Sequence, residues 1–183
     1  YSNAINIGQV KFSNLLNGNA VPALSSQVFN AFTDYCNVAP AVVNQGANYE
    51  LSVKEIFHVN YIKSGVMGFI DYNKDGVFDN TTETIFLGKT KSGVNGYEAR
   101  SFIQIPDSAP LGLTKMRIVL YDPNTQLPVE PCDATFYGET EDYLVQIMPA
   151  QPCTSVPDTL YTGASVTEVC STVSFRIFVA SAL

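Results

Sequence analysis

The chain has 183 residues, a length that fits one medium domain, or one domain and a fragment of another. Hydrophobic residues make up 46% and charged residues only 15%, so a sizeable core is expected and wholesale disorder is not. The formal net charge is −7 and the Lys and Arg residues are scattered, which argues against nucleic acid and anionic membranes as partners. The sequence has no run of about 18 apolar residues, so no transmembrane segment is expected.

Short segments with alternating or aromatic residues follow one another along the chain and are typical of β-strands. They are residues 5–12, 48–57, 65–71, 84–88, 98–105, 114–122 and 142–148. Clusters of Gly, Asn, Pro and Asp separate them, and only residues 25–32 suggest a short helix. This pattern predicts an all-β fold, an antiparallel β-sandwich of the jelly-roll or Ig-like type.

Residues 71–83, "DYNKDGVFDNTTE", form a segment that we call the acidic loop. Asp71, Asn73, Asp75 and Asp79 stand at positions one, three, five and nine, and Gly76 stands at six. This is the spacing of calcium loops of the EF-hand type, in which short oxygen-bearing side chains and a turn glycine surround one ion. The spacing therefore predicts a calcium site, to which Val77 would add its backbone carbonyl.

The acidic loop departs from an EF-hand in two ways. Position twelve, where a bidentate Glu is expected, is Thr82, and Glu83 follows one residue later. Both flanks are strand-like, so the loop would lie on a β-hairpin and be completed by Glu83, by an oxygen from elsewhere, or by water. The alternative is a solvated turn, because turns also use Asn, Asp and Gly. The excess of carboxylates over Lys74 favours a bound cation, calcium before magnesium.

A second acidic segment, Glu139, Glu141 and Asp142, precedes the last predicted strand, and we call residues 139–142 the acidic strand motif. Strand alternation places Glu139 and Glu141 on one face and Asp142 on the other. We expect Arg117 to form an ion pair with this cluster, which is a structural role. A pair of carboxylates also occurs in glycosidases, but no nucleophile, base and orienting group accompany this pair, so no catalytic residue is predicted.

The cysteines are Cys36, Cys132, Cys153 and Cys170. They show no C-x-x-C spacing beside the single histidine, so a zinc site is not expected. An even number of dispersed cysteines fits an oxidising, extracellular compartment and predicts disulfides. Three pairings are possible, of which we favour Cys36–Cys132 and Cys153–Cys170, and four unpaired buried thiols are the alternative.

The chain changes character at residues 149–158, where Pro residues cluster and predict an extended linker. We therefore expect a first β-sandwich module over residues 1–148. Residues 159–183 would be the truncated start of a second Ig-like β module, because two strands cannot bury a core alone. The sequence starts at Tyr1 without an initiator Met or a signal-peptide pattern, so we expect a mature or excised piece of a longer protein.

Three stretches resemble, in order, the GEVED domain of large secreted or surface proteins of Bacteroidota-type bacteria. They are "GFIDYNKDGVFDNTTE", "FIQIPDSAPLGLTKMRI" and "PCDATFYGETEDYLVQI". The namesake motif is similar to residues 138–142, with Thr140 in place of Val, and the similarity extends over about residues 5–147. The family often has Trp before the Ile-Asp pair, where this chain has Phe69.

The resemblance implies a non-catalytic accessory module that lies among adhesin repeats or beside secreted peptidases and glycan-degrading enzymes, often followed by Ig-like modules. We therefore expect a secreted or cell-surface, calcium-stabilised module whose partners are neighbouring modules of the same polypeptide and a glycan or cell-surface ligand. The alternative is a carbohydrate-binding module attached to a secreted hydrolase. Tyr35, Tyr137 and Tyr143 would then form a sugar platform, although packing in the core is favoured for them.

Overall fold

The computed structural model describes residues 5–18, 32–56, 64–93, 96–124, 130–132 and 138–152. Every regular element in these residues is a β-strand. The strands are β1 (Asn6–Phe12), β2 (Leu15–Gly18), β3 (Phe32–Asp34), β4 (Ala41–Asn44), β5 (Asn48–Ile56), β6 (Gly65–Ile70), β7 (Thr84–Lys89), β8 (Lys91–Gly93), β9 (Gly96–Gln104), β10 (Gly112–Tyr121) and β11 (Glu139–Met148).

The strands form two sheets. The first sheet has the order β2-β1-β5-β9-β8, and all of its pairs are antiparallel. The second sheet has the order β3-β11-β10-β6-β7, and β4 also pairs with β11. The long strands β10 and β11 lie side by side in the middle of the second sheet, with Arg117 directly opposite Asp142. The sequence between β6 and β7 is the acidic loop, so both acidic segments belong to the second sheet.

One edge of β11 is covered by two short strands that run parallel to it. The β3 strand pairs with residues 140–142, and β4 pairs with residues 145–148. The second sheet is therefore mixed, although most of its pairs are antiparallel, as in the predicted antiparallel sandwich. The long stretch of chain between β4 and β11 permits this parallel pairing, because parallel neighbours cannot be joined by a tight hairpin.

The core lies between the two sheets, and each sheet contributes apolar side chains to it. Phe12, Leu51 and Val53 come from the first sheet, and Ile118 and Val145 come from the second, and none of them is solvent-exposed. A smaller cluster lies on the other face of the second sheet. It consists of Phe69, Val119 and Tyr121, with Met67 and Phe78 packed against them. Side chains on both faces of the second half of β10 are therefore buried, which explains the apolar run over residues 118–121.

The prediction of an all-β sandwich is confirmed, and each of the seven predicted strands is present with shifts of up to three residues at its ends. Four strands of three or four residues, β2, β3, β4 and β8, were not predicted. The helix predicted over residues 25–32 falls outside the described residues except for Phe32, which begins β3. Most of the linker and the proposed second module, residues 153–183, also lie outside them. The described residues contain no helix that is long and apolar enough to span a membrane.

Candidate functional site

The acidic loop joins β6 to β7 and is fastened to the neighbouring strand β10. The Asp71 N–H donates to the Lys115 carbonyl at 3.0 Å, and the Thr114 hydroxyl donates to the Asp71 carbonyl. The Lys74 ammonium donates to the Leu111 carbonyl, so the basic side chain of the loop is directed toward the start of β10. These contacts fix where the loop begins and hold its first turn against the sheet.

Inside the loop, side-chain oxygens fold the backbone by accepting N–H groups a few residues ahead. Asn73 Oδ1 accepts the Asp75 N–H at 2.8 Å, and Asp75 Oδ1 accepts the Val77 N–H at 2.8 Å. Asp71 Oδ2 accepts the Gly76 N–H at 3.1 Å. Gly76 has a φ of +83°, a left-handed conformation that glycine adopts without steric penalty. The alternating Asp and Asn residues therefore wrap the chain tightly, as the spacing predicted.

Glu83, and not Thr82, closes the loop. Glu83 is only 2% exposed, and its carboxylate reaches back across the loop. Its Oε1 accepts the Asn73 N–H at 3.0 Å and its Oε2 accepts the Asp79 N–H at 2.9 Å. Thr82 instead donates its N–H and its hydroxyl to Asp79 Oδ1, at 2.8 and 3.1 Å, and the hydrogen bonds to Thr82 and Thr81 lower the pKa of Asp79.

Asp71 carries an oxygen without a partner. Its side chain is 6% exposed, and Oδ1 is buried and makes no hydrogen bond, although Oδ2 holds the turn. A buried, unpartnered carboxylate oxygen is costly, and it is the kind of ligand that calcium takes. Within the described residues, no group of three or more His, Cys, Asp or Glu side chains is arranged to hold a metal ion. A calcium site here would therefore also need the Asn73 amide and the Val77 carbonyl.

The inner face of the acidic strand motif joins the two sheets. Glu139 Oε2 accepts the backbone N–H of Ile7 at 2.8 Å and the Asn6 side-chain amide at 3.2 Å. Glu139 Oε1 accepts the Thr33 hydroxyl at 3.3 Å. Burial raises the pKa of Glu139, and these three hydrogen bonds act in the opposite direction. The side chain thus connects β11 to β1 in the opposite sheet and to β3 beside it.

Glu141 lies on the same face, as strand alternation predicted, and is held by a chain of hydroxyl and amide groups. Its Oε2 accepts the Tyr143 hydroxyl at 2.6 Å, and that hydroxyl accepts the Asn17 side-chain amide at 2.9 Å. Burial, together with the charge of Glu139, raises the pKa of Glu141 to about 8. A buried carboxyl that lacks a cationic partner favours its neutral form.

Asp142 projects from the opposite face of β11 and binds Arg117 across the strand pair, which confirms the predicted ion pair for this member of the cluster. Arg117 Nε lies 2.6 Å from Asp142 Oδ1, and Nη2 lies 2.8 Å from Oδ2. The guanidinium is flanked by the rings of Phe32 and Phe78, at 5.7 and 5.2 Å from the ring centres. Its Nη1 donates to the Pro131 carbonyl at 2.9 Å. The bidentate pair raises the pKa of Arg117.

The predicted Cys36–Cys132 disulfide is not formed in the structure, where both residues are free thiols. Their sulfurs face different partners. Burial raises the pKa of the Cys36 thiol to about 11, and hydrogen bonding to Asp34 adds to the shift. The exposed Cys132 has its sulfur 3.9 Å from Arg117 Nη1. Cys153 and Cys170 lie outside the described residues.

The tyrosines proposed as a sugar platform pack against each other instead. Tyr143 is fully buried, and the half-buried Tyr35 stacks on it with ring centres 5.4 Å apart. Tyr137 lies outside the described residues. The core alternative therefore holds for Tyr143, whose inward position β11 alternation already indicates, since Val145 and Ile147 share its face.

Several partners of the acidic strand motif were not predicted from sequence. Asn6, Asn17 and Thr33 contact Glu139 or Tyr143, and Phe78 covers Arg117. Each is more than 35 residues from its partner in sequence, and nothing in the local pattern distinguishes it from an ordinary polar or apolar strand or loop residue. Only the pairing of the strands brings these side chains together.

A search of curated proteins finds none that matches this chain. A family model does match, over residues 65–146, which contain the acidic loop, β10 and all but the end of β11. The part of the resemblance that precedes residue 65 is not covered by this match. Residues 65–146 of this chain are thus a match to the GEVED domain, a small β-sandwich family of accessory, non-enzymatic modules.

Proposed function

We propose that this chain is a non-catalytic, calcium-stabilised accessory or adhesion module of a secreted or cell-surface, multi-modular bacterial protein. The observation that carries the calcium assignment is Asp71. Its carboxylate is buried in a loop of calcium-type spacing, one oxygen holds the turn, and the other has no partner. A cation at this point would satisfy that oxygen and offset the net negative charge of the loop.

The residues that would hold calcium are those that the spacing singles out. They are Asp71, Asn73, Asp75, Val77, Asp79 and Glu83. Several of their oxygens accept backbone N–H groups, but a carboxylate oxygen has a second lone pair with which it can also contact an ion. Glu83 already lies across the loop, bound to the N–H groups of Asn73 and Asp79. The carboxylates of the loop do not converge on one point in the structure, so calcium binding would draw them together. The donor set is all oxygen, which suits calcium.

Calcium bound here would stabilise the sandwich and take no part in a reaction. The loop connects β6 to β7 and is hydrogen-bonded to β10 through Asp71 and Thr114. An ion that holds the loop in place would therefore stabilise its contacts with three strands of one sheet. An ion that binds the folded loop and not the unfolded chain adds about 2.7 kcal/mol at a concentration a hundred times its Kd. This is a large fraction of the stability of an ordinary domain.

The acidic strand motif supports a non-catalytic module. Glu139 is bound to a backbone amide of the opposite sheet, Glu141 to a buried tyrosine and Asp142 to Arg117. The two glutamates share one face, but they serve as hydrogen-bond acceptors that join strands. A glycosidase pair must instead face one scissile bond from two sides.

The setting in a larger extracellular protein is supported by the sequence that follows the sandwich. The chain leaves β11 through a Pro-rich stretch, and its first residue is held by the side-chain amide of Asn44, which donates to the Pro149 carbonyl at 2.8 Å. A chain end held against the sheet, followed by a Pro-rich sequence, suits a module that positions its neighbours along one polypeptide. Neighbouring modules of the same chain, and a glycan or cell-surface ligand, are the partners that we propose.

Thermal melting tests the calcium assignment. Calcium should raise the midpoint of the wild-type chain, and EDTA should lower it again. Asp71→Asn should abolish the response while leaving a folded protein, since the amide oxygen can still accept the Gly76 N–H. Asp107→Asn, at an exposed acid outside the loop, should respond like the wild type.

The calcium assignment fails if the wild-type midpoint is the same in calcium and in EDTA, or if Asp75→Ala responds to calcium as fully as the wild type. Retention of the module on a glycan array would favour the carbohydrate-binding alternative. We do not propose a sugar platform of aromatic rings as a second function, because Tyr143 and the half-buried Tyr35 offer no exposed aromatic row among the described residues.

A further inference from the structure

A polar cavity of about 270 Å³ opens at the end of the sandwich where the two sheets meet, and we call it the end cavity. Strands β1 and β2 form one wall, and β3 and β11 form the other. The residues that line it are Asn6, Ile7, Gly8, Gln9, Asn17, Gly18, Thr33, Tyr35, Glu139 and Glu141. The end cavity is distinct from the acidic loop, because none of its lining residues belongs to residues 71–83.

Two carboxyl groups face the end cavity with no cationic side chain among the described residues that line it. Glu139 is held by neutral donors from Ile7, Asn6 and Thr33, and Glu141 by the Tyr143 hydroxyl. The local field in this cavity therefore favours a positively charged guest.

Asn6 supplies an independent sign of a missing partner. Its side chain is 3% exposed, and its amide nitrogen donates to Glu139 Oε2 at 3.2 Å. That bond assigns the other end of the amide as the carbonyl, and this buried Oδ1 makes no hydrogen bond. A buried amide oxygen without a donor carries a free-energy penalty of about 1–3 kcal/mol, which a bound donor would relieve.

The number and type of these groups select the chemistry of the guest. Glu139, Glu141 and Asn6 present acceptor oxygens, and a primary ammonium group has three N–H donors and no acceptor. The ring of Tyr35 lies in the same wall and suits the apolar stem beside an ammonium. A bare metal ion would fill only a small part of the cavity volume, and no group of three metal-binding side chains is present among the described residues.

We propose that the end cavity is a binding site for a ligand that presents a primary ammonium group. Two sources carry this group to the surface of an extracellular module: an amino sugar and the side chain of a lysine in another polypeptide. Both share the chemistry that the cavity recognises, and a volume of about 270 Å³ holds one such residue rather than a longer chain. The site stands independently of the calcium loop.

NMR titration of the whole chain with simple amines tests the proposal. n-Butylamine and glucosamine should each produce saturable shifts of the amide signals of Ile7 and Thr33, whereas n-butanol and glucose, their neutral counterparts, should not. A peptide with a single lysine, against the same peptide acetylated on that lysine, distinguishes a protein source from an amino-sugar source. Titration in calcium excess and in EDTA should give the same affinity, which separates this site from the acidic loop.

Charge-neutralising variants complete the test. Glu139→Gln should weaken amine binding about tenfold or more, because it removes a carboxylate that faces the ammonium. Glu141→Gln should also weaken it, because a bound ammonium favours the charged form of Glu141, which glutamine cannot supply. Glu50→Gln, at a carboxylate outside the cavity, should bind like the wild type. If Glu139→Gln does not fold, titration of the wild type and of Glu141→Gln still tests whether the end cavity binds an ammonium group.

Three outcomes would overturn the proposal. One is the absence of a saturable shift with any amine. Another is an equal response to glucose and glucosamine, which would make the cavity a polyol site. The third is displacement of the amine by calcium with shifts of Ile7 and Thr33, which would make it a metal site.

Discussion

The acidic loop and the acidic strand motif contain the same kinds of side chain but use them in opposite ways. In the loop, Asp71, Asp75 and Glu83 accept N–H groups from residues at most ten positions away. In the strand motif, Glu139 binds Ile7, which is 132 residues away in sequence, and Asp142 binds Arg117 on the neighbouring strand. One segment folds itself, and the other fastens distant strands together.

The two segments therefore contribute differently to the stability of the fold. Loop carboxylates determine a local shape and leave one oxygen, on Asp71, without a partner. Strand carboxylates are buried at 3–6% exposure. Glu139 connects the second sheet to the first, and Asp142 connects β11 to β10. Changes in the strand motif should therefore lower global stability, whereas changes in the loop should have smaller effects in the absence of calcium.

The largest expected effect is at Arg117, because its removal leaves Asp142 buried and unpaired. Arg117→Met should lower the free energy of unfolding by about 3–5 kcal/mol, measured by urea denaturation. The double variant Arg117→Met with Asp142→Leu should recover most of this loss, since no charge is then left buried. Arg100→Met is the matched control.

Arg100 also forms salt bridges, to Glu50 and Glu98, but its side chain is 57% exposed. Removing it should lower the free energy of unfolding by less than about 1 kcal/mol. Equal losses for Arg117→Met and Arg100→Met would show that burial of the Arg117–Asp142 pair contributes nothing to its effect.

The next effect is at Glu139, the connection between the sheets. Glu139→Ala leaves the Ile7 N–H and the Asn6 amide without their acceptor and should lower the free energy of unfolding by about 2 kcal/mol. Glu139→Gln keeps one acceptor oxygen and should lose less. Hydrogen exchange at the Ile7 amide measures the local part of the effect, and unchanged protection in Glu139→Ala would contradict the assigned bond.

The same contrast explains what could be predicted from sequence. The loop follows from spacing, because Asp71, Asn73, Asp75 and Gly76 act on neighbours within five residues. The face assignment of Glu139, Glu141 and Asp142 follows from strand alternation. Arg117 was predicted as a partner of this cluster, but the partners of Glu139 were not, because they lie on β1 and β3, more than a hundred residues away in sequence.

The pH dependence of stability tests the strand motif at Glu141, because the pKa of this residue is about 8 in the folded chain against an ordinary value of 4.5. Between these values the unfolded chain loses this proton and the folded chain keeps it. The free energy of unfolding therefore falls as pH rises from about 4.5 to about 8, by at most about 1.4 kcal/mol per pH unit from this group. Below that window Glu141 is protonated in both states and contributes no slope.

Glu141→Gln should make the pH dependence of stability less steep, measured by urea denaturation at several pH values across this window. Glu55 and Glu139 also have raised pKa values and remain in the variant, so part of the slope should persist. Identical slopes for wild type and Glu141→Gln would show that Glu141 titrates normally in the folded chain.

The smallest expected effect is at Gly76, in the loop. A Cβ added there would meet no atom within 4 Å, so the φ of +83° is the only obstacle to a side chain. Gly76→Ala should lower the free energy of unfolding by about 1 kcal/mol, because a left-handed conformation is strained for alanine. Gly76→Asn should lose less, since Asn tolerates this region. If Gly76→Ala destabilised the chain as much as Glu139→Ala, the loop would be as integral to the sandwich as the strand motif, and the contrast between a self-folding loop and a sheet-joining strand would not hold.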